Sequence, residues 1–182
     1  LNNNSGYISI DEISSKLITG KDFKISSNFL NDSLKVTSSY NSLKNELNKI
    51  SFSHTINDKN KSVLTFNDME LLINNQKWSI DKNIISKFPV LSFSRDEKDY
   101  SLTNANLSSG DQSLYINISE DLKNSSYSLD FKNVSLENFT SNKNKIFFQA
   151  LVNGKVDLIK NNDKYKGSSL LKIDDFKANG NL

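Results

Sequence analysis

The stretch Gly110-Asp-Gln-Ser-Leu114-Tyr-Ile116-Asn-Ile118 is followed, after a polar break, by Tyr127-Ser-Leu129-Asp-Phe131-Lys-Asn-Val134-Ser-Leu136-Glu-Asn-Phe139 and by Ile146-Phe-Phe148-Gln-Ala150-Leu-Val152-Asn-Gly154-Lys-Val156. Within each piece apolar residues recur at every second position. Side chains on a strand alternate between two faces, so each run has one apolar side and one wet side. Successive runs of this kind predict a long antiparallel sheet with a single apolar face. The functional question is what covers that face.

Composition agrees with this reading. Apolar residues make up 36% of the 182 residues, below the roughly 45–50% of an ordinary globular domain. That supply suffices for one face per strand and little more. The net charge of +2 is spread over both signs, which gives no basic patch for nucleic acid and no charged tail. The chain has no cysteine, which excludes disulfides and thiolate metal sites. No apolar run approaches the roughly 18 residues of a membrane-crossing helix, and Leu1-Asn2-Asn3-Asn4 does not read as a signal peptide. Because it starts without Met and stops at Leu182 in mid-pattern, the sequence is expected to be a piece of a longer protein, with residues 1–182 forming one continuous segment.

Outward from the central stretch, the same pattern runs in both directions. Tyr7 to Ile10 and Ile13 to Ile18 read as two short strands, the second closed by Gly20. Phe23 and Ile25, then Leu34, Val36 and Tyr40, read as a hairpin turned at Asn31-Asp32, where an Asx side chain can bond its own backbone. Leu43, Leu47 and Ile50 have helical spacing, with Ser42 as a cap. The strand reading is preferred there, because alternation begins at Phe52, His54 and Ile56, and Asn45 and Asn48 are poor helix formers. Asn57 to Asn60 and Asn74-Asn75 are turns. Ile84 to Val90 is weakly apolar and contains the single proline, Pro89, suited to a strand start or an edge. After the central stretch, Val156 and Leu158, then Leu171, Ile173, Phe176 and Ala178, complete about a dozen strands. The fold class is therefore all-β.

Little here supports catalysis. His54, the single histidine, lies in an alternating run with no serine elbow or cysteine nucleophile, so it reads as structural. The acids at Asp174-Asp175 and at Glu97 and Asp99 read as surface chemistry. No stretch has the spacing of a calcium loop, and Gly154-Lys155 lacks the upstream glycine and following helix of a phosphate loop. Asn-x-Ser/Thr triplets such as Asn117-Ile118-Ser119 follow from the abundance of Asn and Ser. Trp78 fits a sugar platform less well than a core or groove wall, since Ile80 shares its face.

The succession Asn-Asn-Gln-Lys-Trp-Ser-Ile-Asp at 74–81, Leu-Ser-Ser-Gly-Asp-Gln-Ser-Leu-Tyr-Ile at 107–116, Leu-Asp-Phe-Lys-Asn-Val-Ser-Leu-Glu-Asn-Phe at 129–139, Val-Asn-Gly-Lys-Val-Asp-Leu at 152–158 and Leu-Lys-Ile-Asp-Asp-Phe-Lys-Ala-Asn-Gly at 171–180 resembles the repeats of TamB-like translocation and assembly proteins. The resemblance is to the long forms of Bacteroidota, within the AsmA-like bridge-like lipid transfer group, and it runs from about Asn45 to Leu182. It implies an open β-taco, a long antiparallel sheet of short strands folded lengthwise into a trough. It also implies a periplasmic protein anchored in the inner membrane of a Gram-negative bacterium and serving outer-membrane biogenesis and protein translocation. Its partners would be phospholipid acyl chains in the trough and, through regions outside this sequence, a BamA-like outer-membrane barrel.

An apolar slot gains roughly 0.8 kcal/mol per methylene, on the order of 12 kcal/mol for a chain of about 16 carbons. That gain is nearly equal at every rung of a repeating sheet, so the lipid slides rather than sits, and neither an enzyme nor a cofactor is required. The residues expected to line the trough are Trp78, Ile80, Leu91, Phe93, Leu102, Leu114, Ile116, Ile118, Leu129, Phe131, Leu136, Ile146, Phe148, Val152, Val156, Leu171 and Ile173. Leu136 and Phe139 share a face only if a bulge intervenes, and Phe147 and Leu151 fall on the opposite phase. The alternative is a closed β-sandwich, a structural or adhesive module whose apolar faces pack on each other.

Overall fold

The computed structural model describes residues 4–14, 19–30, 32–57, 59–73, 76–81, 87–94, 99–136, 146–162 and 164–180. Twelve strands follow in order: β1 (Asn4–Ser14), β2 (Thr19–Leu30), β3 (Ser33–Asn41), β4 (Leu47–Ile56), β5 (Ser62–Ile73), β6 (Gln76–Ile80), β7 (Val90–Phe93), β8 (Tyr100–Ser109), β9 (Gln112–Glu120), β10 (Asn124–Ser135), β11 (Ile146–Asn161) and β12 (Lys164–Gly180). They form one antiparallel sheet in chain order, with β6 and β7 sharing a single rung between β5 and β8. Pro89 stands just before β7 as a strand start. Its carbonyl accepts the Phe66 N–H at 2.9 Å, so β5 stays bonded across the interruption of that rung.

The turns follow from Asn, Asp and Gly. Leu30 pairs with Ser33 around Asp32, which takes φ 60°, the left-handed backbone of a tight hairpin turn. Asn57 Oδ1 accepts the Lys59 and Lys61 N–H groups, both at 3.0 Å. Gly110, at φ 61°, turns β8 into β9, and Asp121 Oδ1 accepts the Lys123 and Asn124 N–H groups, both at 2.8 Å. These two donors hold the Asp121 carboxyl below its ordinary range. Ser42 is a cap, though of a turn and not of a helix: its Oγ accepts the Lys44 and Glu46 N–H groups at 3.3 and 3.2 Å. β4 begins at Leu47, as the strand reading expects.

Three sequence expectations are corrected. Tyr7 to Ile13 lie in one strand, β1, and Gly20 lies inside β2, where a Cβ would come within 2.6 Å of the Asn41 carbonyl and 2.7 Å of the Tyr40 ring. A glycine required by close packing reads in sequence like a strand terminator. The last strand begins at Lys164 and not near Leu171, because Gly167 and Ser169 occupy apolar-face positions opposite Leu158 and Val156 and blur the alternation. Residues 15–18, 31, 58, 74–75, 82–86 and 95–98, including Ile84 and Glu97, and residues 137–145, including Phe139, lie outside the described residues.

Four of the bulges within the strands sit at Asx residues with left-handed backbone: Asp22 (φ 54°) in β2, Asn104 (56°) in β8, Asn133 (51°) in β10 and Asp175 (53°) in β12. Short polar side chains tolerate this conformation far better than branched ones. Two of the bulges are held by the same device. The Asn104 N–H donates to Asn117 Oδ1 on β9 at 3.0 Å, and the Asn133 N–H donates to Asn153 Oδ1 on β11 at 2.8 Å. Each amide satisfies a donor that the bulge removes from the ladder. Bulges bend and twist a strand, so their recurrence on alternate strands from β8 to β12 curls the sheet.

Substantial contacts between strands are all between sheet neighbours, and the described residues form no second sheet across the apolar face. The architecture is therefore an open sheet and not a closed sandwich. Among the described residues, the fully buried apolar side chains are Phe23, Trp78, Ile80, Ala105, Val134, Ala150 and Val152.

Candidate functional site

Directly opposed residues of an antiparallel pair lie on the same face, so the register traces that face across the molecule. One row runs Phe29–Leu34–His54–Leu64–Leu91–Leu102–Ile118–Tyr127–Leu158. A second runs Ala105–Ile116–Leu129–Val156, and a third Ile80–Leu107–Leu114–Phe131–Gly154–Leu171. The opposite face carries rows such as Asn106–Tyr115–Asp130–Lys155 and Ser92–Ser101–Ser119–Ser126. It also carries ion pairs between Lys49 and Asp68 at 2.8 Å and between Lys77 and Glu70 at 2.6 Å. The Asp68 hydrogen bond raises the Lys49 ammonium above its usual value.

On the apolar side, β9 to β12 enclose a groove of about 400 Å³ walled by Leu114, Leu129, Phe131, Val134, Leu136, Val152, Val156, Leu171 and Ile173. All nine are aliphatic or aromatic. Its floor depends on Gly154, which lies between Phe131 and Leu171 in the third row. Gly154 has φ +123°, and a Cβ there would lie 1.9 Å from the Leu170 carbonyl oxygen. No side chain can occupy that position, so the row keeps a gap.

Where its side chains are described, the predicted lining divides into three parts. Leu114, Leu129, Phe131, Leu136, Val152, Val156, Leu171 and Ile173 come together in the groove. Leu91, Phe93, Leu102, Ile116 and Ile118 share its face and are half-buried. Trp78 and Ile80 are on the same face but only 2% exposed, so they form packed floor and not open wall. The side chains of Ile146, Phe147 and Phe148 lie outside the described residues. Leu151 points to the other face, opposite Ser135 and Asp174.

Sequence reasoning missed Val134, which is 1% exposed and three residues from Phe131. A bulge does shift the phase here, at Asn133 and so earlier than the Leu136–Phe139 spacing suggests. The same spacing, apolar-x-Asn-apolar, recurs at Leu102-Thr-Asn104-Ala105 and is the signal that could have revealed both bulges.

At one rim, Glu120 on β9 accepts hydrogen bonds from Tyr100 Oη on β8 at 2.5 Å and Tyr127 Oη on β10 at 2.6 Å. These bonds clamp three strands where the apolar rows end. The hydroxyls hold the Glu120 carboxyl below its ordinary range, and the carboxylate pushes the Tyr100 phenol up to about 12. Nearby, Lys61 pairs with Asp99. His54 sits in the apolar row between Leu34 and Leu64. Asp174 pairs with Lys172 at 3.0 Å, and Asp175 forms the β12 bulge. Among the described residues no three His, Cys, Asp or Glu side chains converge as metal ligands, and no helix is long and apolar enough to cross a membrane. Set against known proteins, the chain matches no family model, no curated protein and no solved structure.

Proposed function

We propose that this sheet holds phospholipid acyl chains along its apolar face, as a segment of a TamB-like, periplasm-spanning protein that moves lipid between the inner and outer membranes. The observation that carries the reading is the groove of β9 to β12: nine converging apolar side chains, none polar, open to the outside. Water in such a slot has no hydrogen-bond partner, whereas hydrocarbon gains roughly 0.8 kcal/mol per methylene. The groove lies within the roughly 300–1,000 Å³ of small-molecule sites.

Motion follows from the repetition of the rows. Rungs about 4.8 Å apart present nearly equivalent apolar surface, so an acyl chain crossing from Ile118 to Tyr127 to Leu158 exchanges one contact for another of similar strength. The headgroup stays at the open side, near water. No step breaks a covalent bond, and the residues act by shape and polarity alone. The open sheet favours this reading over a structural sandwich, whose apolar face would be covered.

Native mass spectrometry of the purified chain, with solvent extraction of bound material, tests the proposal. Copurifying phospholipid or fatty acid, displaced by added lipid, is the expected result. A lipid-free protein that also takes up none from vesicles would overturn it.

A further inference from the structure

We propose that the charged row bordering the apolar face from β8 to β12 binds a zwitterionic phospholipid headgroup, one that carries both a phosphate and an amine. This rests on the acyl-chain reading of the groove and adds the class of lipid. The register sets Tyr100, Glu120, Ser125, Lys160 and Tyr165 side by side across five strands. They share the face of Phe93, which pairs with Tyr100, and the next row on that face is Leu102–Ile118–Tyr127–Leu158. Charge thus meets the apolar rows directly. A lipid whose tails lie along Tyr127, Leu129 and Phe131 of β10 has its headgroup at this row.

The two charges stand on either side of Ser125. Glu120 is on β9 and Lys160 on β11, two rungs or about 9.6 Å apart along the sheet, and the serine between them is buried. So short a side chain leaves a notch between two long ones. Both tyrosine hydroxyls donate to Glu120 Oε2, so Oε1 keeps its lone pairs for another donor. Lys160 belongs to none of the ion pairs among the described residues. Its ammonium lies 5.7 Å from the centre of the Tyr165 ring, which positions the charge and leaves N–H donors for a phosphate.

A wholly anionic headgroup would meet Glu120 as well as Lys160 and gain little. A headgroup of both signs satisfies both residues: its phosphate accepts from Lys160, and its ammonium donates to Glu120 Oε1 beside the tyrosine rings. Apart from Ser125 these side chains are exposed or half-buried, so each contact is weak. The row therefore selects among lipids without halting their passage along the sheet.

The test is titration of the 182-residue chain with phosphatidylethanolamine, phosphatidylglycerol and diacylglycerol of identical, tail-labelled acyl chains. Dividing each affinity by that for diacylglycerol removes any effect on the tails, and circular dichroism establishes that each variant keeps the sheet. Phosphatidylethanolamine should bind about fivefold tighter than phosphatidylglycerol. Glu120→Gln should abolish that preference. Lys160→Gln should weaken both phospholipids about fivefold relative to diacylglycerol and keep their ratio. Glycerophosphoethanolamine, the same headgroup without tails, should not compete at equal concentration. Diacylglycerol binding with no preference between the phospholipids, a preference that survives Glu120→Gln, a Lys160→Gln variant like the parent, or competition by the free headgroup would overturn this inference alone. Binding of none of the three lipids would overturn the groove reading and this inference with it.

Discussion

Replacing Phe131 by Asp separates a working groove from a merely apolar surface. Phe131 lies opposite Leu114 on one side and Gly154 on the other, so its ring is the wall that spans the gap left by the glycine. An Asp there puts a carboxylate among Leu114, Leu129 and Leu171 with no cation beside it in the groove. Hydrocarbon cannot solvate that charge, and the bound chain must withdraw from the hydrated neighbourhood of the carboxylate. Withdrawing about three methylenes costs about 2.4 kcal/mol, a loss of about fiftyfold in affinity. Lys132→Asp changes charge by more but lies exposed on the opposite face. Such a surface change is within about 0.5 kcal/mol, or about twofold.

The assay is titration of each variant with a fluorescent fatty acid, with circular dichroism to establish that both retain the sheet. Phe131→Ala, which removes wall without adding charge, should fall between them. Equal losses for the two Asp variants, or full affinity in Phe131→Asp, would refute the assignment of faces.

Other consequences concern the sheet itself. Asn153→Ala leaves the part-buried Asn133 N–H without its acceptor and should lower stability by about 1–3 kcal/mol in urea unfolding, whereas Asn153→Asp, which keeps an oxygen, should cost less. Gly154→Ala forces a Cβ against the Leu170 carbonyl at a positive φ and should cost more than about 2 kcal/mol, seen as a lowered melting temperature and faster amide exchange in β11 and β12. Glu120 is depressed in the fold by its tyrosine donors, so its contribution is present above the unfolded value of 4.5 and is lost as pH falls through the folded value. Wild-type protein should lose more stability than Glu120→Gln over that range. Tyr100, raised to about 12 from 10.0, contributes below pH 10 and loses that contribution as pH climbs through 12. Ultraviolet titration should find its ionisation moved back toward 10 in Glu120→Gln.

Much of this was legible in the residues. Leu114, Ile116 and Ile118 alternate because they face Phe131, Leu129 and Tyr127 one strand away, and the open sheet has the single apolar face that such alternation demands. The predicted residues Leu129, Phe131, Val152 and Val156 meet in the groove for the same reason. Period-two reading fails where an Asx residue takes left-handed backbone: Val134 and Ala105 fall out of phase in sequence and return to the apolar face through bulges at Asn133 and Asn104. It also fails where glycine and serine hold apolar-face positions, as at Gly167 and Ser169. Nor does alternation distinguish a wall from a floor. Trp78 and Leu129 read alike, yet one is packed and the other borders open space, because burial depends on which strands curl toward each other.

The central claim is that the apolar face touches acyl chains while the other face does not. Photocrosslinking side chains placed in turn at Leu129 and Asp130, neighbours in β10 on opposite faces, address it most directly in lipid-loaded protein. Lipid adducts at position 129 and none at position 130 are the predicted result; adducts at neither position, or equally at both, would contradict the account.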